Sequence, residues 1–262
     1  MTTPRRPSFS ILTLNLRFGL ADDGPQAWNH RRAVLRQLLE THASDLMTFQ
    51  EANDFQIDFL AQCLPEYDIV GQRHPAPRFW QNNVIFYRAP WKLDMWEHFY
   101  LSPTPDIPSR FPASRWPRQC TLARFTIGPF KLICGTTHLD FEDTVQIASA
   151  DIILKRINRI ASDRPVVLTG DFNCTPASSC HAVFTHPEEA PQPHPTAFRN
   201  VFQPPYPGTF HGFQGGTGRR CIDWILYRGA ITAHRPRVLT FQVDSRYPSD
   251  HYPVAADFYR ET

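Results

Sequence analysis

The residues of this chain best suited to phosphate and metal chemistry stand where short apolar runs stop. Val166-Val167-Leu168-Thr169 ends at Gly170, and the carboxylate of Asp171 and the carboxamide of Asn173 follow in alternate positions. On an extended backbone, residues two apart face the same side, so this spacing directs Asp171 and Asn173 toward a common pocket. Asn15 closes Ile11-Leu12-Thr13-Leu14, Gln50-Glu51 follows Asp45 to Phe49, and His138 follows Lys131 to Thr137. Asp223 sits in Ile222 to Tyr227, and Asp250-His251 precedes Pro253 to Tyr259. Taken singly, each has a plain explanation as a turn former or a solvated loop residue. That explanation fails for the set, because it needs the same coincidence at the end of nearly every central strand.

The chemistry these side chains suit is specific. Glu51 and Asp250, with oxygens from Asn15, Asp171 or Asn173, make a hard donor set for Mg²⁺ or Mn²⁺. His138 and His251, placed beside carboxylates, offer proton exchange or charge stabilisation near neutral pH. Competing chemistries lack their motifs: there is no G-x-S-x-G, no P-loop and no G-x-G-x-x-G. Gly215-Gly216-Thr217-Gly218 precedes a strand, so it reads as a flexible loop beside the site. The six cysteines include no C-x-x-C pair, which speaks against zinc.

The positioning elements follow from periodicity. Val34, Leu35, Leu38 and Leu39 share one face of a helix over Trp28 to His42, with Arg31, Arg32, Arg36 and Glu40 expected elsewhere on the cylinder. Phe55, Phe59, Leu60 and Cys63 mark a second helix, closed by Pro65. Tyr67 to Phe99 alternates strand-like pieces with turns, and Leu122 to Ile127 pairs with Lys131 to Thr137 across Gly128-Pro129. Thr144 to Ile160 is the strongest helix, with Asp143 or Thr144 as its cap. Prolines at 103, 105, 108, 112 and 117 make Leu101 to Pro117 a long surface loop. Arg110, Trp116 and Arg118 on that loop are candidates for gripping substrate; the alternative is a solvated loop whose aromatic packs on the sheet. Glu188 to Pro205 reads as irregular. Both halves read strand, helix, strand, without an internal repeat of residue identity. A two-sheet sandwich flanked by helices accounts for this, as one domain over residues 1–262 with residues 1–9 a short extension.

With 262 residues, 42% hydrophobic and 20% charged, the chain has the composition of a globular protein. A net charge of +2 tolerates a phosphate-bearing substrate but falls far short of an avid nucleic-acid binder. No apolar segment has the length of a transmembrane helix or a signal peptide, and cysteine usage points to a reducing compartment, so a cytoplasmic location is expected. No obligate protein partner is evident.

The motifs Leu14-Asn15, Phe49-Gln50-Glu51, Thr137-His138-Leu139, Gly170-Asp171-Phe172-Asn173, Ile222-Asp223-Trp224 and Ser249-Asp250-His251 together resemble the endonuclease/exonuclease/phosphatase (deoxyribonuclease I-like) superfamily, in its order. The small bacterial stand-alone members are the most similar. That resemblance implies an α/β four-layer α/β/β/α sandwich of two packed, mainly antiparallel sheets flanked by helices. It makes Glu51 the principal metal ligand, assisted by Asn15, with Asp250 close to the ion. Asp171 would orient or deprotonate the attacking water, and Asn173 would hold that water or a phosphate oxygen. His251, aligned by Asp223, would contact the phosphoryl group, with His138 poised for the leaving group. The expected activity is a Mg²⁺- or Mn²⁺-dependent phosphodiesterase acting on a small molecule, a lipid headgroup or a short nucleic acid. A phosphomonoesterase is the alternative, and a silent binding module the third reading. Cys221 stands where that group commonly has an arginine, with Arg220 one residue off.

Overall fold

The computed structural model describes residues 8–161, 164–186 and 197–261. Two parallel strand pairs set the architecture. β1 (Phe9–Asn15) and β2 (Leu46–Ala52) are joined through the helix α1 (Trp28–His42). β7 (Phe130–His138) and β8 (Val166–Asp171) are joined in the same way through α3 (Asp143–Ala161). Parallel neighbours need a long crossover, and a helix provides it while covering the sheet.

Each parallel pair lies inside a six-stranded sheet. The first is completed by β3 (Tyr67–Val70), β4 (Asn82–Arg88), β11 (Ile231–Val238) and β12 (Val254–Arg260), in the order β11-β12-β1-β2-β4-β3. The second adds β5 (Lys92–Tyr100), β6 (Gln119–Ile127), β9 (Arg199–Asn200) and β10 (Asp223–Arg228), in the order β5-β6-β7-β8-β10-β9. All other pairings are antiparallel. The two orders correspond strand for strand. β1 and β7, β2 and β8, and β4 and β10 hold equivalent places.

Alternation divides the apolar residues among three layers. Val167, Ile225 and Tyr227 face inward with Ile11, Phe125 and Phe258, filling the space between the sheets. Val166, Leu168, Trp224 and Leu226 face outward against Ile153, Leu154 and Ile157 of α3 and against α4 (Ser179–Thr185). On the opposite outer face, Leu12 and Leu14 meet Leu35, Leu38 and Leu39 of α1 and Ile57 and Leu60 of α2 (Asp54–Cys63). β8 is buried along its whole length, as a strand covered on both faces must be. The fold is the expected four-layer sandwich.

Toward one end of the inner layer the packing turns polar. The Gln50 amide donates to Thr13 Oγ1 (3.1 Å) and across to Thr136 Oγ1 (2.9 Å), while the Thr48 and Thr169 hydroxyls meet at 2.8 Å. All five residues are buried. These bonds lock the two sheets in register directly beneath the strand ends that carry the polar candidates.

Several expectations change. Arg31 is fully buried instead of lying on the solvated side of α1: its guanidinium donates to the carbonyls of Leu16, Arg17 and Pro248. Three backbone acceptors in reach satisfy a charge that could not otherwise be buried. β1 starts at a buried Phe9, so that residue belongs to the core; residues 1–7 lie outside the described residues. α3 already includes Asp143, which therefore occupies its first turn and does not cap it. Of the 188–205 stretch, residues 197–205 contain the two-residue strand β9, and 188–196 lie outside the described residues. The Gly215–Gly218 loop is tied down, with Tyr252 Oη donating to the Gly216 carbonyl at 2.9 Å. The 101–117 segment holds no helix or strand, as its prolines require.

Candidate active site

The carboxyl ends of the two parallel pairs meet at one edge of the sandwich. Register makes Asn15 the neighbour of Gln50, and His138 the neighbour of Asp171. Asp223, opening β10, pairs with Asp171 from the other side. Asn15, on one sheet, donates through Nδ2 to Glu51 Oε1 (3.1 Å) and to Asp171 Oδ2 (2.9 Å) on the other. One carboxamide thus joins both halves.

Local backbone geometry aims these groups. Between Phe49 and Ala52 the β2–β4 ladder slips, and Glu51 in that irregularity has φ 57°. Left-handed backbone at a residue other than glycine is uncommon and turns the side chain out of the pleat. Glu51 Oε2 accepts from the Phe18 N–H at 2.5 Å. Gly170, at φ 143°, permits the close approach of β8 to β7: a Cβ there would lie 2.0 Å from the Thr137 carbonyl oxygen. β8 ends at Asp171, so the alternation argument does not extend to Asn173. That residue has φ 54°; its N–H donates to Asp171 Oδ1 (2.9 Å) and its side-chain amide to the Leu139 carbonyl (2.9 Å). Asn173 accordingly grips Asp171 and the segment after His138.

Asp223 holds His251 through Nδ1, at 2.9 Å and 3.1 Å from its two oxygens. A carboxylate only accepts, so Nδ1 carries the proton. Nε2 then points toward Asp171 Oδ2 at 3.8 Å and Asp250 Oδ1 at 4.0 Å. Burial alone would lower the pKa of His251; Asp223, Asp171 and Asp250 outweigh it and raise it above the ordinary histidine value. His138, whose Nε2 lies 3.5 Å from Asp171 Oδ2 and 3.9 Å from Glu51 Oε1, goes the opposite way. Burial, then Arg118 and His251, hold it well below its usual value. Burial also raises the Asp171 carboxyl; His251 opposes that and Asp223 adds to it. The site therefore pairs a cationic histidine with a neutral one.

The Asp250 turn is fixed from behind. Ser249 Oγ donates to the Asn15 carbonyl (2.6 Å), and Arg31 holds Pro248. Arg17 donates to both oxygens of Asp23 (3.0 and 2.7 Å) and lies 3.8 Å from Asp250 Oδ2; the hydrogen bonds it gives to Asp23 raise its pKa.

Ligand-type atoms of Asp171, Asp223 and His251 lie within 4.8 Å of one another. The Asp223–His251 ion pair already uses two of them. The donor chemistry of Glu51 fits a divalent cation better: each oxygen accepts one hydrogen bond and keeps a lone pair, and the carboxylate lines an open cavity. That cavity, of about 470 Å³, is lined by Glu51 and His138 together with Arg17, Trp80, Trp116 and Arg118. Arg118 is buried with its Nε 3.7 Å from Asp140 Oδ2. Arg110 does not line the cavity; it is exposed and donates to the Ser114 carbonyl. Arg220, one position from where a phosphate contact was sought, donates to the Asn173 carbonyl at 3.2 Å. Sequence reasoning missed Arg17, Arg31, Trp80 and Phe141. Only Arg17, two positions after Asn15, carried a local hint.

The Endonuclease/Exonuclease/phosphatase family matches residues 12–251. The chain belongs to that family. Among solved structures of this fold, an endonuclease/exonuclease/phosphatase from Bacteroides vulgatus is similar at 25% identity, covering 97% of this chain and 99% of that one, with a TM-score of 0.86. The mannosyl-6-phosphatase Bt3783 of Bacteroides thetaiotaomicron is 24% identical over 96% and 99% of the two chains, with a TM-score of 0.84. Truncated TDP2 of Caenorhabditis elegans is 15% identical over 96% and 97%, with a TM-score of 0.72. No curated protein matches the sequence.

Proposed function

We propose that this protein is a divalent-metal-dependent phosphoester hydrolase in which water attacks phosphorus in line, with a phosphodiester as its preferred substrate. The reading rests on one observation: Asn15, Glu51, His138, Asp171 and the Asp223–His251 pair, drawn from both sheets, lie within hydrogen-bond or ion-pair reach of each other. Glu51 would hold Mg²⁺ or Mn²⁺, with Asp250 as a further carboxylate, and the ion when bound offsets charge on the non-bridging phosphate oxygens; Asn15, whose Nδ2 donates to Glu51 and whose Oδ1 accepts from the Arg17 N–H, steers that ligand. Cationic His251 presents Nε2 to the phosphoryl group and stabilises the negative charge that grows there. Asp171, held by Asn15 and by the Asn173 N–H, takes the proton of the attacking water. Neutral His138, lining the cavity, holds the leaving oxygen. Trp116 and Arg118 bind the alcohol part of the ester; Arg110, outside the cavity, takes no part in the binding set.

Charge favours a diester. The cations lining the cavity already have carboxylate partners, Arg17 with Asp23 and Arg118 with Asp140. Little positive charge is left over for a dianionic monoester, whereas a diester carries a single charge. A phosphomonoesterase is the second reading, supported by the likeness to the mannosyl-6-phosphatase. All six cysteines are free, which fits a reducing, cytoplasmic setting; among the described residues no helix is long and apolar enough to cross a membrane.

The test compares bis-p-nitrophenyl phosphate with p-nitrophenyl phosphate in Mg²⁺, Mn²⁺ and EDTA. We expect the diester to turn over faster, and EDTA to abolish turnover reversibly. Metal-independent hydrolysis would overturn the mechanism, a faster monoester would select the second reading, and no turnover of either would return the protein to the binding modules.

A further inference from the structure

Among the described residues, the large apolar side chains left exposed are few, and half of them surround one opening. Phe79, Trp116 and Phe141 are 65%, 53% and 67% exposed, and all three line the cavity that Glu51 and His138 also line. They come from unrelated places: the loop before β4, the proline-rich loop, and the turn between β7 and α3. Exposed aromatics gathered around a concavity mark a binding surface. The rings are braced. The Arg115 guanidinium lies 4.9 Å from the Trp116 ring centre, and that of Arg118 lies 5.4 Å from Phe141.

Asp140, a buried carboxylate without a part in the hydrolytic step, is the anchor. Its Oδ1 accepts from the Phe141 N–H at 2.8 Å, and its Oδ2 lies 3.7 Å from Arg118 Nε. One side chain therefore fixes an aromatic wall and the cation next to it.

The polar groups between the rings are mostly spent. Asn83 Nδ2 donates to the Gln119 carbonyl at 2.8 Å, and Gln119 Nε2 to the Gln81 carbonyl. Three polar atoms of the wall residues are left buried without a hydrogen-bond partner: Gln119 Oε1, an acceptor on a residue only 4% exposed, and two donors, Trp80 Nε1 and Arg118 Nε. A polyhydroxylated alcohol would need many free donors and acceptors. A flat ring needs ring faces to stack on and few polar contacts at its edge.

Resting on the phosphoester-hydrolase reading, we infer that this cavity is the subsite for the alcohol part of the substrate, and that it selects a planar aromatic ring, stacked by Trp116 and Phe141 and positioned through Asp140. A nucleobase and a simple aryl group share that chemistry, and the experiment separates them.

Binding is measured first, without turnover, by quenching of tryptophan fluorescence in EDTA with adenosine 5′-monophosphate, phenyl phosphate, mannose 6-phosphate and glycerol 3-phosphate. We expect the ring-bearing compounds to bind at least tenfold more tightly than the other two, and Trp116→Ala and Phe141→Ala to erase that difference. A tighter fit of the adenosine compound than of phenyl phosphate identifies the nucleobase, and the reverse the aryl group. The kcat/KM ratio for phenyl against methyl esters of one phosphodiester should fall about tenfold in the same variants, and in Asp140→Asn. Equal affinity for all four compounds, tighter binding of the mannose compound, or an unchanged preference in the variants would overturn the inference and leave the hydrolase reading intact. Failure of every phosphoester to turn over, with ring-selective binding retained, would remove the hydrolase reading alone.

Discussion

His251 takes its charge from its neighbours. Buried among Asp223, Asp171 and Asp250, it is cationic only because those carboxylates outweigh the cost of burial. Asp223 fixes both the ring and the proton on Nδ1, so the two side chains form one device. His251→Gln is expected to lower kcat about 10²-fold or more. Asp223→Asn should do nearly as much damage, and the double variant should be little worse than either single one. Steady-state kinetics, with far-UV circular dichroism to verify folding, checks this; multiplicative losses would show that the two residues act independently. The residue types at this edge were legible in the sequence because few chemistries require them together. The aim of each side chain was not. Asn173 illustrates why: two-residue alternation holds only while the chain stays extended, and here β8 stops at Asp171.

At the scale of elements, the site depends on how closely β7 and β8 approach. Gly170 lies against Thr137, so Gly170→Ala would force a Cβ into a backbone carbonyl that has nowhere to yield. The expected cost is on the order of 2–4 kcal/mol, combining strain at a positive φ with displacement of the strand. Chemical denaturation measures it, and activity should fall further than stability explains, because Asp171 and His138 stand at that junction. Helices and strands with a clean period were readable in advance: α1 spans Trp28–His42 as its apolar spacing requires. The short α4 and β9 and the exposed β11 were missed, since short or solvated elements carry too few apolar positions to set a period. Arg31 was misplaced for a related reason. Its carbonyl partners, at Leu16, Arg17 and Pro248, lie in segments no helical wheel includes.

On the scale of the whole molecule, burial makes folding sensitive to acid. His98 lies in β5, His181 in α4 and His211 in the loop before β10, and burial pushes each down to about 4. In the unfolded chain they titrate near 6.5. Between those values the unfolded state binds more protons, so stability present above pH 6.5 is lost as pH falls toward 4. Urea midpoints should therefore rise slightly from pH 8 to 6.5, where buried His251 holds a proton that the unfolded chain lacks, and then drop toward pH 4.5 as the three lowered histidines take over. His211→Phe, which keeps a ring against Tyr252 (4.0 Å between centroids), should make that drop shallower. A midpoint that keeps rising below pH 6.5 would contradict the assignment.

The chain itself determined the layers and the chemistry. Apolar periods dictate which segments become strands and helices, and the recurrence of Asn, Glu, Asp and His at their ends supplies side chains of the types that hard-ligand and proton-transfer chemistry uses. Tertiary structure alone decided how those ends meet. Asn15 reaches Asp171 across 156 residues of sequence because the Gln50–Thr136 and Thr48–Thr169 bonds hold two sheets in register. The cavity, too, is built from rings that lie far apart along the chain and become neighbours only when the loops at that edge converge. Local patterns report what a segment can bury, whereas contacts between distant segments depend on the closure of the whole fold.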